Sequence, residues 1–297
     1  MKHPFISLII PAYNRPRELS VCLEAVACLK YPRECLEVIL VDDGSRISID
    51  PVVRHFQHRI NMIVLKQKNA GPAAARNNGA RHAKGEFLVF TDHDCAPDSN
   101  WLNILSKHFI DTPDCLFGGR TINRLTDNIF STTSQIIIDM VYNHYNSNPQ
   151  QAHFFTTNNI GLSAKQFNRL GGLNPILRAA EDREFCDRWR YNGYRMIYVK
   201  DAIIYHYHRL NLSTFCKQHF DYGRYAYHYH KIRDQRKSGN FRGEMTFHMN
   251  VQNLLFFPFS QVHWKKRMPL AGNLLLWQIV NFLGFFYEAI EGKRKNM

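Results

Sequence analysis

The 297-residue sequence lacks several patterns that would define a function class. It has no glycine-rich loop of the Gly-x-Gly-x-x-Gly or Gly-x-x-x-x-Gly-Lys-Ser/Thr type, so nucleotide phosphates, if bound, must be neutralised in another way. Its seven cysteines are scattered without a Cys-x-x-Cys pair, which predicts reduced thiols in a cytosolic compartment rather than a disulfide framework or zinc site. No signal peptide is expected, because Pro11 and Asn14 interrupt the first apolar run.

The composition is that of a globular protein, with 45% hydrophobic and 21% charged residues, but the positive charge is unevenly distributed. Residues 1–209 carry 25 Lys and Arg against 20 Asp and Glu, whereas residues 210–297 carry 13 against 5. A basic tail on a nearly balanced domain favours an anionic partner, which is a membrane surface, a nucleic acid or a phosphate-bearing substrate. The alternative is a basic surface that serves solubility alone.

The first hundred residues alternate between short apolar runs and helical patterns. Strands are predicted at Phe5–Ile10, Leu36–Val41, Met62–Leu65 and Glu86–Phe90. The intervening helices are predicted from Pro16 onwards, at Pro51–His58 and at Ala73–Ala83. This order predicts an α/β fold with a parallel sheet and right-handed crossovers.

The pattern is looser after Trp101. Further strands are predicted at Leu116–Ile122, Met196–Val199 and Ala202–His208, and a helix at Arg183–Tyr191, while residues 126–148 fit neither pattern. The chain becomes rich in aromatic and basic residues near residue 210, and we expect a domain boundary there.

Asp92 and Asp94 directly follow the fourth predicted strand. Open α/β sheets bind ligands outside the carboxyl ends of their strands, so the two carboxylates can point into one cleft. Mg²⁺ and Mn²⁺ prefer oxygen ligands and are often shared with substrate phosphates. The alternative for an isolated Asp-x-Asp is a solvated turn.

Three further side chains fall at the same predicted sheet edge or near it. Tyr13 and Asp43 follow the first and second strands, and together they could stack on a base and accept its N–H. Arg76 lies on the third helix and could reach a phosphate. The alternatives are an ordinary core tyrosine, an Asp-Gly turn and a surface arginine.

Six ordered motifs resemble the family 2 glycosyltransferases, which are inverting sugar-nucleotide enzymes with the GT-A fold. The motifs are Leu8-Ile9-Ile10-Pro11-Ala12-Tyr13-Asn14-Arg15, Val41-Asp42-Asp43-Gly44-Ser45, Ala74-Ala75-Arg76-Asn77, Phe90-Thr91-Asp92-His93-Asp94-Cys95, Asn158-Asn159 with Gly171-Gly172-Leu173, and Ala180-Glu181-Asp182-Arg183-Glu184-Phe185. Together they cover about the first 210 residues, whereas the C-terminal stretch is not explained by the resemblance.

The resemblance implies a GT-A domain at 1–209, with a mostly parallel central sheet and helices on both faces. Residues 1–94 would form its nucleotide-sugar-binding half and residues 95–209 its acceptor-binding half. Asp43 would recognise the base, with Tyr13 and the Pro11 backbone beside the nucleoside. Asp94 would be the principal metal ligand for Mg²⁺ or Mn²⁺, and Asp92 would contact the ribose or the metal. Asp182 would be the catalytic base.

Inverting transfer also requires such groups on chemical grounds. One carboxylate must take the proton of the acceptor hydroxyl during attack at the anomeric carbon, which suits Asp182. Glu181 beside it could raise the pKa of that base by like-charge repulsion. The alternative is an acidic pair that only stabilises a helix N-terminus. His206 and His208 would lie on one face of their strand. The resemblance implies that a histidine at the position of His206 can complete the metal or diphosphate site, and a partly buried structural histidine is the alternative.

The tail contains an uncharged run at Leu270–Tyr287 with basic clusters at Lys265-Lys266-Arg267 and Lys293-Arg294-Lys295. In a helix, the polar residues Asn273, Gln278, Asn281 and Glu288 would share one sector of about 140°. We therefore expect a C-terminal helical appendage at 210–297 that lies in the interface of an anionic membrane. A helix docked on the catalytic domain or a partner subunit is the alternative, followed by a true membrane span.

The sequence thus predicts a hexosyltransferase-type enzyme of surface glycan or polysaccharide biosynthesis. Its partners would be a nucleotide-sugar donor, foremost a UDP-sugar, and a carbohydrate or lipid-linked acceptor, at the cytoplasmic face of the membrane. A metal-dependent nucleotidyltransferase of the same fold is one alternative. A nucleic-acid-binding protein that uses the basic tail is the other, although no nucleic acid is expected as a partner.

Overall fold

The computed structural model describes residues 3–239, 247 and 256–294, and of Lys293 only the backbone. Within these residues eight strands form one sheet: β1 (Ile6–Ala12), β2 (Leu36–Asp42), β3 (Met62–Lys66), β4 (Phe87–Phe90), β5 (Cys95–Pro97), β6 (Leu116–Asn123), β7 (Ile160–Ser163) and β8 (Met196–His206). Their order across the sheet is β3-β2-β1-β4-β7-β6-β8-β5.

The helices that pack around this sheet are α1 (Pro16–Ala27), α2 (Asp50–Phe56), α3 (Pro72–His82), α4 (Trp101–Asp111), α5 (Ile129–Tyr145), α6 (Ala164–Arg169), α7 (Glu181–Tyr191), α8 (Leu212–Arg236), α9 (Phe257–Ser260) and α10 (Trp264–Arg294). The predicted helices of the first hundred residues and at 183–191 are confirmed to within about two residues. The segment 126–148, which fitted no pattern, contains α5.

The first half of the sheet is parallel, as predicted, because β1 pairs in parallel with β2 and β4, and β2 with β3. The second half is mixed. β6 and β8 are parallel, but β7 runs antiparallel to β4 and β6, and β5 runs antiparallel to β8. The alternation of β and α elements that indicates a parallel sheet ends after β4, and so does the parallel arrangement.

Helices cover both faces of the sheet, and the alternation of side chains along β1 shows how. Ile9 packs into the core that contains α3, α5 and α7, while Leu8 and Ile10 pack into the opposite core with α1 and α4. Since successive strand residues point to opposite faces, a strand buried on both sides is apolar along its whole length.

One continuous strand, β8, replaces the two strands predicted at 196–199 and 202–208. Its partner β6 pairs Gly119 with Val199 but Arg120 with Ile203, so an irregularity absorbs the three residues Lys200, Asp201 and Ala202 without ending the strand. The polar pair looked like a break because a local pattern does not reveal a bulge. As a result His206 ends the strand.

The polar side of α10 packs against α8 of the same C-terminal region and against α5. Asn273 donates a hydrogen bond to Thr133 on α5, Asn281 donates one to the His219 carbonyl on α8, and Glu288 accepts hydrogen bonds from the Arg224 and His228 side chains. The docked-helix alternative is therefore correct for this side of the helix.

The opposite side of α10 is an exposed apolar stripe. At 100° per residue its members fall within a sector of about 100°; they are Trp264, Met268, Leu275, Ile279, Leu283, Phe286 and Ile290, each at least 49% exposed. Among the described residues, Trp264–Gly292 is the one helix long and apolar enough to cross a membrane by length and composition. Lys295, of the second basic cluster, lies outside the described residues.

Candidate active site

One cavity of about 990 Å³ lies at the carboxyl ends of β1, β2 and β4 and extends beneath α8 and α10. Every candidate residue from the sequence lines it, namely Pro11, Tyr13, Asp43, Arg76, Asp92, Asp94, Glu181, Asp182 and His206. The fold brings these side chains together because β1, β2, β4, β8 and the first turn of α7 all end or begin at this edge of the sheet.

Asp94 and His206 form the centre of the cavity's acidic side. The His206 Nε2 atom lies 3.4 Å from the Asp94 Oδ1 atom, and the Arg15 guanidinium lies 3.4 Å from Oδ2. Their meeting follows from the sheet, since β5 after Asp94 pairs Cys95 with His206. The spacing of 112 residues along the chain hides this contact from any local motif.

The charges of this pair stabilise each other. Burial alone would favour the neutral acid, but His206 and the neighbouring histidines hold the pKa of Asp94 well below its usual range. Burial likewise opposes the charged form of His206, yet the Asp94 carboxylate outweighs it and raises the pKa of His206. The imidazolium form of His206 and the carboxylate form of Asp94 therefore stabilise each other.

The ligand atoms of Asp94, His206 and Cys95 all lie within 4.8 Å of one another. A carboxylate and an imidazole in a cavity suit a divalent cation such as Mn²⁺. Burial raises the pKa of the Cys95 thiol well above its ordinary value, so this thiol stays protonated and is a poor ligand. The donor set that fits a cation is therefore Asp94 with His206, and Asp92 lies outside this cluster.

Asp92 instead pairs with Arg76, which connects it to the start of α7. The Arg76 guanidinium is 3% exposed and donates to Asp92 through Nη2 and to the Glu181 Oε1 atom, 3.1 Å away, through Nη1. Arg76 is thus a buried bridge between two acidic motifs, rather than the surface arginine that was the alternative.

Glu181 and Asp182 occupy the first turn of α7, after Ala180 in the left-handed region at φ 64°. Burial and the neighbouring Asp182 raise the pKa of Glu181 to about 8. Burial also raises the pKa of Asp182, whereas Arg183 and Arg76 lower it. The pKa of Asp182 is therefore raised by burial, and the like-charge effect expected from the sequence acts on Glu181.

Asp43 is 4% exposed and anchors the loop between β3 and α3. Its Oδ1 atom accepts hydrogen bonds from the Gln67 side chain and the Ala70 backbone N–H, and its Oδ2 atom accepts from the Asn69 side chain and the Gly71 backbone N–H. A carboxylate offers about four acceptor positions, so this loop engages them all.

Tyr13 borders the same side of the cavity and is 39% exposed, which rules out the ordinary core tyrosine. The neighbouring Pro11 carbonyl lies 3.1 Å from the His93 Nδ1 atom. His93, which had no assigned role, thereby ties the end of β1 to the turn that contains Asp92 and Asp94.

The cavity residues that sequence reasoning missed as site residues include Arg15, His93, His208, His219 and Tyr222. Arg15 and His93 lie inside motifs already singled out, so proximity in sequence could have indicated them. The His208 ring stacks on His206 at a centroid distance of 4.9 Å. Tyr222 comes from α8 in the tail, where no local pattern points to the site.

The sequence model of glycosyl transferase family 2 matches residues 7–171, more than half of the chain. Among curated proteins, glycosyltransferase AglE of Haloferax volcanii is 38% identical over 101 residues, which are 33% of this chain and 33% of that protein. Chondroitin synthase of Escherichia coli is 28% identical over 238 residues, 68% of this chain and 34% of that protein. The chain thus matches about a third of the length of these relatives.

Two solved structures share the fold. The Pyrobaculum calidifontis mannosyltransferase PcManGT, in complex with GDP-Man and Mn²⁺, superposes with a TM-score of 0.66 at 18% identity, covering 98% of this chain and 87% of its own. S. aureus TarS 1-349 with UDP-GlcNAc gives 0.56 at 17% identity, covering 97% and 92%. These likenesses confirm the GT-A fold, and with the family match they establish that the chain belongs to glycosyl transferase family 2.

Proposed function

We propose that this protein is an inverting glycosyltransferase of the hexosyltransferase type, which moves a sugar from a nucleotide diphosphate to an acceptor hydroxyl. The observation that carries the proposal is a single cavity that contains both the Asp94–His206 pair and Asp182. The Asp94–His206 pair suits the departing diphosphate, and Asp182 offers a base for the attacking hydroxyl.

Asp182 is the proposed catalytic base. Its carboxylate lines the cavity, and its Oδ1 atom accepts a hydrogen bond from the Arg183 backbone N–H at 2.7 Å, which fixes its orientation. The raised pKa brings the group closer to the working pH and makes it a stronger proton acceptor. In-line attack needs no covalent sugar–enzyme intermediate, so a single base suffices.

Asp94 and His206 are the proposed ligands of a Mg²⁺ or Mn²⁺ ion. When bound, the ion supplies positive charge against the charge that grows on the leaving diphosphate. The side chains contribute independently of it: Arg15 lies beside Asp94 and can contact a phosphate oxygen, while Arg76 neutralises Asp92 and orients it towards the donor.

The nucleoside is proposed to lie beside Tyr13, the Pro11 backbone and Asp43. Because the loop of residues 67–71 engages all four acceptor positions of Asp43, base recognition replaces one side-chain hydrogen bond, from Gln67 or Asn69, with a base N–H. A UDP-sugar is the proposed donor. UDP-GlcNAc is bound by the TarS neighbour, and GDP-Man by the mannosyltransferase neighbour.

We place the reaction in surface glycan or polysaccharide synthesis, on a carbohydrate or lipid-linked acceptor at the inner face of the cytoplasmic membrane. The apolar stripe of α10 is the proposed contact with an anionic bilayer. Charge complementarity supports this occupant, because Lys265, Lys266 and Arg267 begin the helix and Arg294 ends it.

The donor site is tested by a thermal-shift screen of sugar nucleotides with Mn²⁺. We expect one nucleotide class to raise the melting temperature of the wild type but not of Asp94→Ala, whereas Asp111→Ala, on the exposed end of α4, behaves like the wild type. Stabilisation by a sugar nucleotide that depends neither on Mn²⁺ nor on Asp94 would contradict the proposed donor site.

The membrane contact is tested by sedimentation with liposomes. Full-length protein is expected to sediment with anionic vesicles at moderate salt, and Leu283→Ser with Phe286→Ser to reduce the bound fraction several-fold. Ile110→Ser, at an equally exposed position on α4, is the control. Failure of the wild-type protein to sediment with anionic vesicles would contradict the proposed membrane contact.

A further inference from the structure

The cavity is larger than its polar part. Beyond the acidic residues it continues between α5, α8 and α10, in a part that we call the inner chamber. Its walls include the apolar side chains of Val141, Phe154, Ala226, Trp277 and Phe285, and the same helices add the polar side chains of Gln135, Gln218, Gln278 and Asn281. The aliphatic and aromatic part of these walls gains little from contact with a hydrated sugar chain, and it binds apolar groups through the hydrophobic effect.

His219 of α8 lines the same cavity and contacts the inner chamber through the Trp277 ring. Its side chain is 1% exposed, lines the cavity, and packs against Phe215, Tyr222 and Trp277. Neither ring nitrogen has a hydrogen-bond partner among the described residues. Buried polar atoms are almost always paired, so an orphaned imidazole that faces a cavity points to a partner supplied by a ligand.

The imidazole is suited to a neutral polar group. Burial, with a contribution from His208, lowers the pKa of His219 to about 3, so at neutral pH the ring offers one N–H donor and one nitrogen acceptor. A hydroxyl group can satisfy either nitrogen.

α10 connects this chamber to the exposed apolar stripe. Trp277 and Phe285 face the chamber, while Leu275, Ile279 and Leu283 lie on the outer side of the same helix. An α-helix with its side chains is about 10 Å thick, so the chamber lies one helix away from the proposed membrane contact.

We propose that the inner chamber binds the acceptor and that this acceptor is an amphiphilic membrane lipid. Its apolar chain lies between α5, α8 and α10, and its hydroxyl-bearing head group is hydrogen-bonded to His219 on the way to Asp182. The proposal rests on the proposed function, since it identifies the acceptor of that transfer.

The test compares two glycosides that share a head group. Full-length protein saturated with UDP and Mn²⁺ is titrated calorimetrically with n-decyl β-D-glucopyranoside below its micelle concentration, and with methyl β-D-glucopyranoside. We expect one decyl glucoside per chain, bound at least about 100-fold more tightly than the methyl glucoside, because most of the alkyl chain leaves water. Equal affinity, or binding of several molecules per chain, would overturn the proposal.

Two substitutions locate the binding. Ala226→Trp fills the chamber and is expected to abolish decyl glucoside binding, while Leu283→Ser on the outer stripe leaves it unchanged. Val21→Trp, at an exposed position of α1, controls for the added indole ring. Loss with Leu283→Ser and retention with Ala226→Trp would place the alkyl chain on the surface and overturn the proposal.

His219→Phe tests the head-group contact with two opposite effects. It removes the unpaired nitrogens, so the melting temperature of the ligand-free protein should rise, while decyl glucoside affinity falls about 5-fold. A lower melting temperature with unchanged affinity would mean that His219 has a structural partner, and would overturn its role.

Failure of this proposal is distinguishable from failure of the proposed function. If UDP binding depends on Mn²⁺ and Asp94 but both glucosides bind equally, the proposed transferase function stands and the proposed lipid acceptor is wrong. UDP binding independent of Asp94 would remove the proposed donor site, whatever the glucosides do.

Discussion

Arg76 donates a hydrogen bond to Glu181 across 3.1 Å, although the two residues are 105 positions apart. The same guanidinium pairs with Asp92, so one buried side chain joins the end of β4 to the first turn of α7. One buried arginine therefore bridges acidic residues of two separate motifs, Asp92 and Glu181.

Arg76→Ala should destabilise the protein by about 2 kcal/mol, because it leaves the half-buried Asp92 without its cation and the buried Glu181 without a hydrogen-bond donor. Urea unfolding measures the loss. Arg81→Ala, at an exposed position on the same helix, should change stability by less than about 0.5 kcal/mol. Equal effects of the two substitutions would show that the bridge contributes nothing specific.

The raised pKa of Glu181 predicts a pH dependence of stability. The group titrates near 4.5 in the unfolded chain and at about 8 in the folded one. Between these values the folded state holds a proton that the unfolded state has lost, so this contribution is complete below pH 4.5 and is lost as pH rises through 8. Glu181→Gln should flatten the stability profile between pH 5 and 8, and an unchanged slope would contradict the raised pKa.

Metal binding should compete with the proton on His206. Because Asp94 raises the pKa of His206, Mn²⁺ affinity measured by calorimetry should fall as pH falls, with proton release on binding. His206→Gln should weaken Mn²⁺ at least about 10-fold. His208→Gln is the control, since its ring stacks on His206 but lies outside the Asp94 cluster. A larger loss of Mn²⁺ affinity in His208→Gln than in His206→Gln would show that His208, and not His206, is the metal ligand.

Alanine substitutions at two adjacent glycines distinguish the cost of backbone strain from the cost of a steric clash. Gly171 and Gly172 have φ values of 80° and 72°, but an added Cβ atom meets nothing within 4 Å at Gly171 and lies 2.6 Å from the Asn77 Oδ1 atom at Gly172. Asn77 is held by two hydrogen bonds to Leu173 and cannot yield cheaply. Gly171→Ala should cost about 1–2 kcal/mol, and Gly172→Ala at least about 1 kcal/mol more.

Chemical denaturation of these two variants provides the comparison. If Gly172→Ala is no worse than Gly171→Ala, the contact between the third and fifth motifs does not stabilise the fold.

The sequence predicted the parallel half of the fold well, because strands buried on both faces and helices with clear ends leave local patterns. It predicted β8 as two strands because the irregularity that absorbs Lys200, Asp201 and Ala202 is a property of the pairing with β6. It left α5 unassigned, since this helix buries residues against both the core and the cavity and has no clean polar face.

The candidate site was predictable where residues follow strand ends and not where contacts are long-range. Asp94 could be placed at the sheet edge from β4 alone, but its pairing with His206 requires β5 to lie beside β8. The contribution of α8, through His219 and Tyr222, depends on how the tail packs, and no motif encodes it.

The most direct test of the account compares donor binding and sugar transfer in Asp182→Asn. If Asp182 is the base, the donor Kd should stay within about 3-fold of the wild type, while single-turnover transfer falls by about 10²–10⁴-fold. The wild-type product should have the opposite anomeric configuration to the donor. Transfer within about 10-fold of the wild type, or retention of the donor's configuration, would contradict the central claim.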